Sequence, residues 1–256
     1  MDVSGLAGLL AIAFIASYTQ TLTGFALGLI MMGGIGLTGV LPLTDAAVLV
    51  SILVVVNAAQ VLAKGWRDIA FRQLAPALLS SLLFLGVGYW LLNLLAAASL
   101  EWVKIVLGLV IIISSVQLSL KPQGLERMSS QASFAGFGAA AGLMGGLFST
   151  AGPPLIYHFY RQPLNASTVR ETLVAIFATN ALIRLGIVAG AGQMPTASFW
   201  WGLVAIPVVI LATWLAKRYP PPLSPLSMRR TAFLLLFLSG VSLALPPLWK
   251  LAQAAA

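Results

Sequence analysis

The sequence of 256 residues contains no cysteine, one histidine and only six acidic residues. Without cysteine there is no disulfide, no thiol catalysis and no cysteine-ligated metal, and one histidine excludes a histidine-rich metal site. Charged residues make up 8% of the chain, whereas ordinary globular proteins contain about 25%. So few polar groups cannot cover a soluble particle of this size, which excludes a soluble enzyme and a disordered chain.

Hydrophobic residues make up 60% of the chain and occur in long runs. Such runs predict an all-α integral membrane protein rather than an outer-membrane barrel. Six runs have the length of a single span: 46–63, 74–97, 103–120, 172–190, 198–216 and 231–248. Residues 4–40 are interrupted at Thr23-Gly24, and residues 132–160 are interrupted at 149–154. We interpret each of these two regions as a broken or re-entrant helical hairpin.

The net charge of +8 is explained by membrane topology rather than by nucleic-acid binding, because no basic run lies on a soluble face. If both hairpins return to the side from which they enter, eleven basic residues share one face: Lys64, Arg67, Arg72, Lys121, Arg127, Arg161, Arg170, Lys217, Arg218, Arg229 and Arg230. Only Lys104 and Lys250 fall on the other face. This bias fits the positive-inside rule and predicts that both termini lie outside the cytoplasm.

The two hairpins divide the chain into repeats of the same plan, residues 1–128 and 129–256. Each repeat is a hairpin followed by three spans, and because three is odd, the second repeat enters the membrane upside down. A by-eye alignment of the repeats places Asn57 over Asn180. Inverted repeats with helices broken near the bilayer midplane are a recurring plan of transporters.

The second interruption has the sequence Ser149-Thr150-Ala151-Gly152-Pro153-Pro154. Serine or threonine before proline is typical of a helix start. A helix that begins inside the membrane directs unpaired N–H groups and a partial positive charge at the space before it, which is a site for an anion. Thr23-Gly24 would begin the matching helix in the first repeat. The alternative is a proline kink in an ordinary span, with glycines that allow close packing.

Arg184 lies well inside the span 172–190, with Asn180 one turn earlier on the same helical face. A charge in mid-membrane costs at least about 2.5–3.5 kcal/mol, so a compensating group is expected. An anionic substrate would compensate it, since a guanidinium group offers a planar fork to an oxyanion. The alternative is that Arg184 extends outward to the nearby loop.

Several other polar residues permit two interpretations each. Gln20 and Asn57 either line a polar path or hydrogen-bond between helices. His158 is either a proton relay or a structural residue. Asp45 and Glu101 lie near span ends, where we expect them to be solvated. No nucleophile elbow, P-loop, His-Glu metal motif or paired carboxylate occurs, so we expect neither an enzyme nor a bound cofactor or metal.

Two segments resemble the signatures of the sulfite exporter TauE/SafE family: TQTLTGFAL at residues 19–27 and GFGAAAGLMGGLFSTAGPPL at residues 136–155. The second segment is the closer match, and the resemblance extends over essentially the whole chain. It implies a permease of the bacterial inner membrane for sulfite and organosulfonates, and many members are exporters. The residues by themselves indicate only a small anion, because helix N-termini and an arginine would accept a sulfonate or a carboxylate.

The leading hypothesis is a secondary transporter, an exporter by the resemblance, that moves a small sulfur-containing anion by alternating access around a midplane site. The predicted substrate-binding residues are Gln20, Thr23, Gly24, Asn57, Ser149, Thr150, Gly152, Pro153, Asn180 and Arg184. The alternatives are a carboxylate permease, an anion channel and a membrane scaffold that transports nothing. The expected partners are the anion and the lipid bilayer, with a homodimer left open and nucleic acid excluded.

Overall fold

The structure is a computed structural model that describes residues 3–98, 100–119, 125–148, 152–192, 195–220, 234, 237–238, 240–241, 244–249 and 253. The described residues form helices joined by short turns, as the sequence predicts. The helices are α1 (Val3–Thr23), α2 (Leu27–Thr38), α3 (Leu43–Gly65), α4 (Phe71–Ala98), α5 (Leu100–Ser119), α6 (Gln131–Phe148), α7 (Gly152–Tyr160), α8 (Ala166–Gly190), α9 (Ala197–Gly202) and α10 (Ala205–Arg218). A single 3-10 turn, η1 (Trp66–Asp68), follows α3.

In the part of the chain that the structure describes, five helical stretches are long and apolar enough to cross a membrane: Val3–Thr23, Leu43–Asp68, Phe71–Leu92, Ala166–Gly190 and Phe199–Arg218. Four of them coincide with predicted spans, and α5 coincides with the predicted span 103–120. The predicted span 231–248 lies largely outside the described residues. The chain is therefore a multi-pass membrane protein.

The first hairpin is asymmetric, because α1 has 21 residues and α2 only 12. These numbers correspond to about 31 Å and about 18 Å of helix. The prediction that Thr23-Gly24 begins a helix is wrong, since Thr23 is the last residue of α1 and α2 begins at Leu27. Gly24 ends α1 with a φ of +81°, and Ala26 also adopts a left-handed backbone at 95°. Of the second interruption, predicted at 149–154, residues 149–151 lie outside the described residues, and residues 152–154 form the first turn of α7.

The central pair of the bundle is α3 against α8. On either side of it, α1 packs against α10 and α4 packs against α6. The outer helices also contact the central pair, α10 on α3 and α4 on α8. Each of these contacts joins a helix of residues 1–128 to a helix of residues 129–256, so the interior lies between the two parts of the sequence.

Glycines allow α6 to approach α4 closely. Gly138, Gly142 and Gly146 recur every fourth residue and therefore lie along one face of α6. A Cβ atom at Gly142 would overlap the carbonyl of Ser81, and one at Gly146 would overlap the carbonyl of Leu85. Such small-residue stripes let membrane helices gain van der Waals contact along their backbones.

Two side chains of the central pair hold the starts of helices from the other half of the chain. The Oδ2 atom of Asp45 accepts hydrogen bonds from the backbone N–H of Thr196, at 3.1 Å, and from its hydroxyl. The Oγ1 atom of Thr172 accepts from the N–H of Ala70 at 2.9 Å. Thr196 caps α9 and Ala70 directly precedes α4. The expectation that Asp45 is solvated is wrong. Its side chain is buried and accepts from the N–H of Thr196, which has no acceptor within α9.

Candidate functional site

A cavity lies between the central pair and the two hairpins and encloses about 490 Å³ of empty space, including its mouth. Among the described residues, four polar side chains line it: Gln20, Ser51, Asn180 and Arg184. The lining is drawn from α1, α2, α3 and α4 of the first part of the chain and from α6, α7 and α8 of the second.

The first turns of both short helices line this cavity. Gly28 and Leu29 do so from α2, and Gly152 does so from α7. The N–H groups of Gly28 and Leu29 are among the first four of α2, which have no acceptor inside the helix. The helix dipole adds a partial positive charge at these ends.

Proline reduces the number of donors that α7 provides. Pro153 and Pro154 occupy its first turn and carry no N–H group, so among these first three residues only Gly152 has a backbone donor. The first turn of α2 is therefore the richer source of donors at the cavity.

Gln20 joins α1 to the start of α2. Its Oε1 atom accepts from the N–H of Leu27 at 3.0 Å, and its Nε2 atom donates to Oδ1 of Asn57 at 3.1 Å. The Nδ2 atom of Asn57 donates to the hydroxyls of Thr21 at 2.9 Å and Thr213 at 2.8 Å. Asn57 is fully buried and is not part of the cavity lining, so its contact with the cavity is indirect, through Gln20.

Asn180 lines the cavity with an unused donor. Its Oδ1 atom accepts from the hydroxyl of Ser81 at 2.7 Å. Its Nδ2 atom is buried and has no hydrogen-bond partner among the described residues. A buried donor without an acceptor costs about 1–3 kcal/mol, so a ligand that supplies an acceptor would recover that free energy.

Arg184 is 3% exposed, which excludes the alternative that it extends outward. Its Nη1 atom donates to the carbonyl of Gly146 at 2.5 Å and to that of Gly145 at 3.4 Å. These carbonyls belong to the last turn of α6, where intrahelical donors are lacking. The guanidinium carbon also lies 5.6 Å from the ring centroid of Tyr89, which is the geometry of a cation–π contact.

The Nε atom of Arg184 is buried and has no hydrogen-bond partner within the described part of the chain. Arg184 therefore holds the end of α6 with one nitrogen and keeps another available beside the cavity. The described lining residues include no acidic side chain that would neutralise its charge.

The remaining predicted residues lie elsewhere. The hydroxyl of Thr23 donates to the carbonyl of Thr19 at 2.7 Å, and the residue shapes the turn with Gly24 outside the cavity lining. Pro153 lies in the first turn of α7. The predicted residues Ser149 and Thr150 lie outside the described residues.

His158 is packed among aromatic rings and is not part of the cavity lining. Its ring stacks on the ring of Phe137, with the two centroids 4.3 Å apart, and packs edge-to-face with the ring of Phe134, with the centroids 4.6 Å apart. Its Nε2 atom lies 3.5 Å from the hydroxyl of Ser133. These contacts favour the structural interpretation of His158 over the proton relay.

Reasoning from sequence missed several lining residues, among them Gly28, Ser51 and Phe177. A signal for Phe177 is present, because it lies seven residues before Arg184 and three before Asn180, on the same helical face. Gly28 lies in the first turn after the first interruption, where a helix start offers its N–H groups.

One guanidinium, one free amide donor and two helix N-termini converge on a partly apolar cavity inside a multi-pass helical protein. Among the described residues, no group of three or more histidine or acidic side chains could hold a metal ion. The donors, the cavity and the multi-pass helical fold together are the features of a membrane transporter.

Comparison with known proteins gives the family. The model of the family "Sulfite exporter TauE/SafE" matches residues 9–243, and the chain belongs to this family. A protein of Cupriavidus necator described as "Probable sulfite/organosulfonate exporter TauE" is 36% identical over 241 residues, which cover 94% of each chain. A protein of Comamonas testosteroni, "Probable inner membrane transporter protein TsaS", is 30% identical over 192 residues, 73% of this chain and 77% of that protein. No solved structure matches the chain significantly. The predicted family and the transporter class are therefore confirmed.

Proposed function

We propose that the chain is a secondary transporter that exports a small sulfur-containing anion, such as sulfite or an organosulfonate, across a bacterial inner membrane. The family supports this proposal, and so do the names of the two relatives, one an exporter of sulfite and organosulfonates and one an inner membrane transporter. The site proposed for the anion is the cavity beside Asn180 and Arg184.

The observation that carries the proposal is the pair of unpartnered donors, Nδ2 of Asn180 and Nε of Arg184, at one cavity. Each is buried and each needs an acceptor. A single anion between them would accept from both and would compensate the charge of Arg184 at the same time. The free N–H groups at the start of α2 line the same cavity and add further donors.

The number of oxygen atoms favours a sulfur oxyanion over a carboxylate. Sulfite and sulfonate groups present three oxygens in a pyramid, whereas a carboxylate presents two in a plane. Three oxygens can accept at once from the amide of Asn180, the guanidinium of Arg184 and the first turn of α2. The apolar lining residues, such as Val54 and Phe177, suit a short carbon chain on the sulfur.

We further propose that residues 1–128 and 129–256 are inverted repeats that rock about this cavity, with both termini outside the cytoplasm. The helix contacts support this arrangement, because α1 against α10 in one pairing corresponds to α6 against α4 in the other. The central pair, α3 and α8, then lies on the axis that relates the repeats.

Side-chain contacts follow the same correspondence. Asn57 of α3 binds Thr213 of α10, and Asn180 of α8 binds Ser81 of α4. Asp45 accepts from the N–H of Thr196 at the start of α9, which follows α8 in the second repeat. Thr172 accepts from the N–H of Ala70 at the start of α4, which follows α3 in the first repeat. The two N–H groups therefore occupy equivalent positions in the two repeats.

Thermal unfolding of the purified protein tests the proposal when sulfite, sulfoacetate, sulfate, acetate and chloride are compared at equal ionic strength. An anion that binds the folded state raises its stability by about 2.7 kcal/mol at a hundred times its Kd. We expect sulfite or sulfoacetate to raise Tm more than acetate or chloride. An equal effect of acetate would favour a carboxylate permease, and no effect of any anion would contradict the site.

A second measurement separates a transporter from a channel. Vesicles that contain the protein should exchange internal for external sulfite without carrying an anion current larger than that of empty vesicles. A large chloride or sulfite current would favour the anion channel, and neither exchange nor current would favour the scaffold.

A further inference from the structure

The cavity holds a single formal charge. Among the described residues that line it, Arg184 is the one charged side chain, and a guanidinium stays protonated at any physiological pH. The stretches 149–151 and 231–248, which lie wholly or largely outside the described residues, contain no charged residue. The proposed site therefore offers an anion one full positive charge.

Other ionisable side chains of the helices that line the cavity do not change this count. Tyr89 of α4 faces the guanidinium of Arg184 with its ring and is not part of the lining. Neither α2 nor α6 contains an ionisable side chain. Apart from tyrosines, the ionisable side chains of the other helices all lie outside the lining, and they are Asp45, Lys64, Arg72, His158, Arg170 and Glu171.

The helix ends at the cavity add partial charges of both signs. The first turns of α2 and α7 are positive, but each interruption also places the last turn of the preceding helix at the cavity. Gln20, in the last turn of α1, and Gly145, in the last turn of α6, both line it. Helix C-termini carry a partial negative charge of about the same size as the positive one at N-termini. The four ends therefore largely cancel, and the charge of Arg184 remains.

A monoanion would neutralise this charge, whereas a dianion would leave one uncompensated negative charge inside the membrane. By the scale of insertion free energies, an uncompensated charge at mid-membrane weakens binding by roughly 100-fold. A simple alkanesulfonate carries one charge. Sulfite takes up one proton near neutral pH, so it is present in water both as the dianion and as hydrogen sulfite.

The O–H form of hydrogen sulfite brings a proton that needs an acceptor, and α3 supplies one. Ser51 lines the cavity and is 2% exposed. Its hydroxyl donates to the carbonyl of Ala47 at 2.8 Å, so its oxygen offers lone pairs, and no proton, to a ligand. The cavity thus has an acceptor on α3 of the first part of the chain and the two unpartnered donors on α8 of the second.

We propose that the cavity selects singly charged anions, and that sulfite is bound there as hydrogen sulfite with its O–H group directed at Ser51. This inference rests on the proposed transport function and names the charge state that the site accepts. Sulfate is then excluded by its second charge, not by its size. Sulfoacetate carries a second charge on its carboxylate, so of sulfite and sulfoacetate it is sulfite that should bind.

Calorimetric titration of the purified protein with methanesulfonate and sulfate tests the selection of charge. The two ions have nearly the same shape, because a methyl group in one replaces an oxygen in the other, and they differ by one charge. We expect methanesulfonate to bind roughly 100-fold more tightly than sulfate. Equal affinities, or tighter binding of sulfate, would overturn the selection of single charges.

The pH dependence of sulfite binding tests which form is bound. The Kd for total sulfite, divided by the Kd for methanesulfonate at the same pH, should rise about tenfold for each pH unit above the pKa of hydrogen sulfite, because the competent fraction falls in that proportion. Methanesulfonate keeps its charge over this range, so the ratio removes any titration of the protein itself. A ratio that stays constant or falls as the pH rises would overturn binding as hydrogen sulfite.

Replacement of Ser51 tests the acceptor. At a pH where hydrogen sulfite predominates, Ser51→Ala should raise the Kd for sulfite about fivefold more than the Kd for methanesulfonate, the worth of one hydrogen bond between neutral groups. Ser80→Ala is the matched control, because Ser80 makes the same bond within its helix, to the carbonyl of Pro76 at 2.9 Å, and lies outside the cavity lining. It should bind both anions like wild type. Equal effects of Ser51→Ala on the two anions would overturn the role of Ser51 as acceptor.

Failure of this inference is distinguishable from failure of the proposed function. If methanesulfonate and sulfite bind and sulfate binds equally well, the selection of charge is wrong and the anion site remains. If wild type binds neither methanesulfonate nor sulfite at any pH, the proposed function is contradicted and the selection of charge falls with it.

Discussion

The guanidinium of Arg184 donates to the carbonyl of Gly146 at 2.5 Å and thereby joins the C-terminal half of α8 to the last turn of α6. The residue that brings positive charge to the cavity thus also fixes the helix end that precedes the second interruption. In the proposed site the anion binds Nε of the side chain whose Nη1 holds the end of α6. The proposal therefore links anion binding to the position of the second hairpin through one side chain.

Arg184→Gln should weaken anion binding and keep the protein in the membrane. A hydrogen bond to a charged group contributes about 1.5–3 kcal/mol, so the Kd for sulfite should rise about 10-fold to 150-fold. Calorimetric titration of sulfite into the purified variant measures this change. Arg127→Gln, at an exposed position, is the control and should bind like wild type. Equal affinity in wild type and Arg184→Gln would remove Arg184 from the site.

The two asparagines of the central pair should respond differently to replacement by alanine. Asn180→Ala removes the vacant donor and should raise the Kd for sulfite about tenfold while costing little stability, since one hydrogen bond from Ser81 is lost. Asn57→Ala removes the acceptor of Gln20 Nε2 and the donor to the hydroxyls of Thr21 and Thr213, and should lower the unfolding free energy by about 3 kcal/mol. Thermal unfolding with and without sulfite separates the two effects. A large loss of stability in Asn180→Ala, with loss of sulfite binding only in Asn57→Ala, would contradict the geometry.

The glycine stripe of α6 should tolerate no side chain where it meets α4. Gly142→Ala places a Cβ atom against the backbone of Ser81 and should destabilise the protein by about 1–3 kcal/mol. Gly136→Ala on the same helix has open space and should be neutral or slightly stabilising. The Tm values of the two variants in detergent test this contrast. Equal Tm values would mean that α4 and α6 are not packed through these glycines.

The proposed topology can be tested with single cysteines, because the native chain has none. Glu126→Cys and Ala191→Cys place a thiol at two exposed positions on opposite sides of the membrane in the proposed arrangement. We expect an impermeant maleimide applied to intact cells to label position 191 and to label position 126 only after the membrane is opened. A reporter fused after Ala256 should likewise be non-cytoplasmic. The reverse labelling would contradict the inverted arrangement.

Much of the fold could be predicted from the sequence, because membrane spans depend on the length and hydrophobicity of a single segment. The runs that became α3, α4, α8 and α10 needed no knowledge of partners. The interruption at Gly24 was also visible, since glycine permits the left-handed backbone that ends α1. Arg184 stood out because a charge in mid-membrane is costly wherever it lies.

Partners that are distant in sequence could not be predicted in this way. Thr23 was expected to start α2, yet the acceptor for the N–H of Leu27 is Gln20, which the bend of the chain brings back to it. Asp45 was expected in solvent, yet its partner Thr196 lies 151 residues away. The sequence shows that such side chains are polar, and only packing shows which atoms remain without a partner.

The most direct test of the account is an experimental structure with 2-bromoethanesulfonate, whose bromine can be located by its anomalous scattering. The account predicts the sulfonate in the cavity, with oxygens within hydrogen-bond distance of Nδ2 of Asn180, Nε of Arg184 and the N–H groups at the start of α2. Bromine found only at the protein surface, with the cavity holding water and both donors still without a sulfonate partner, would contradict it.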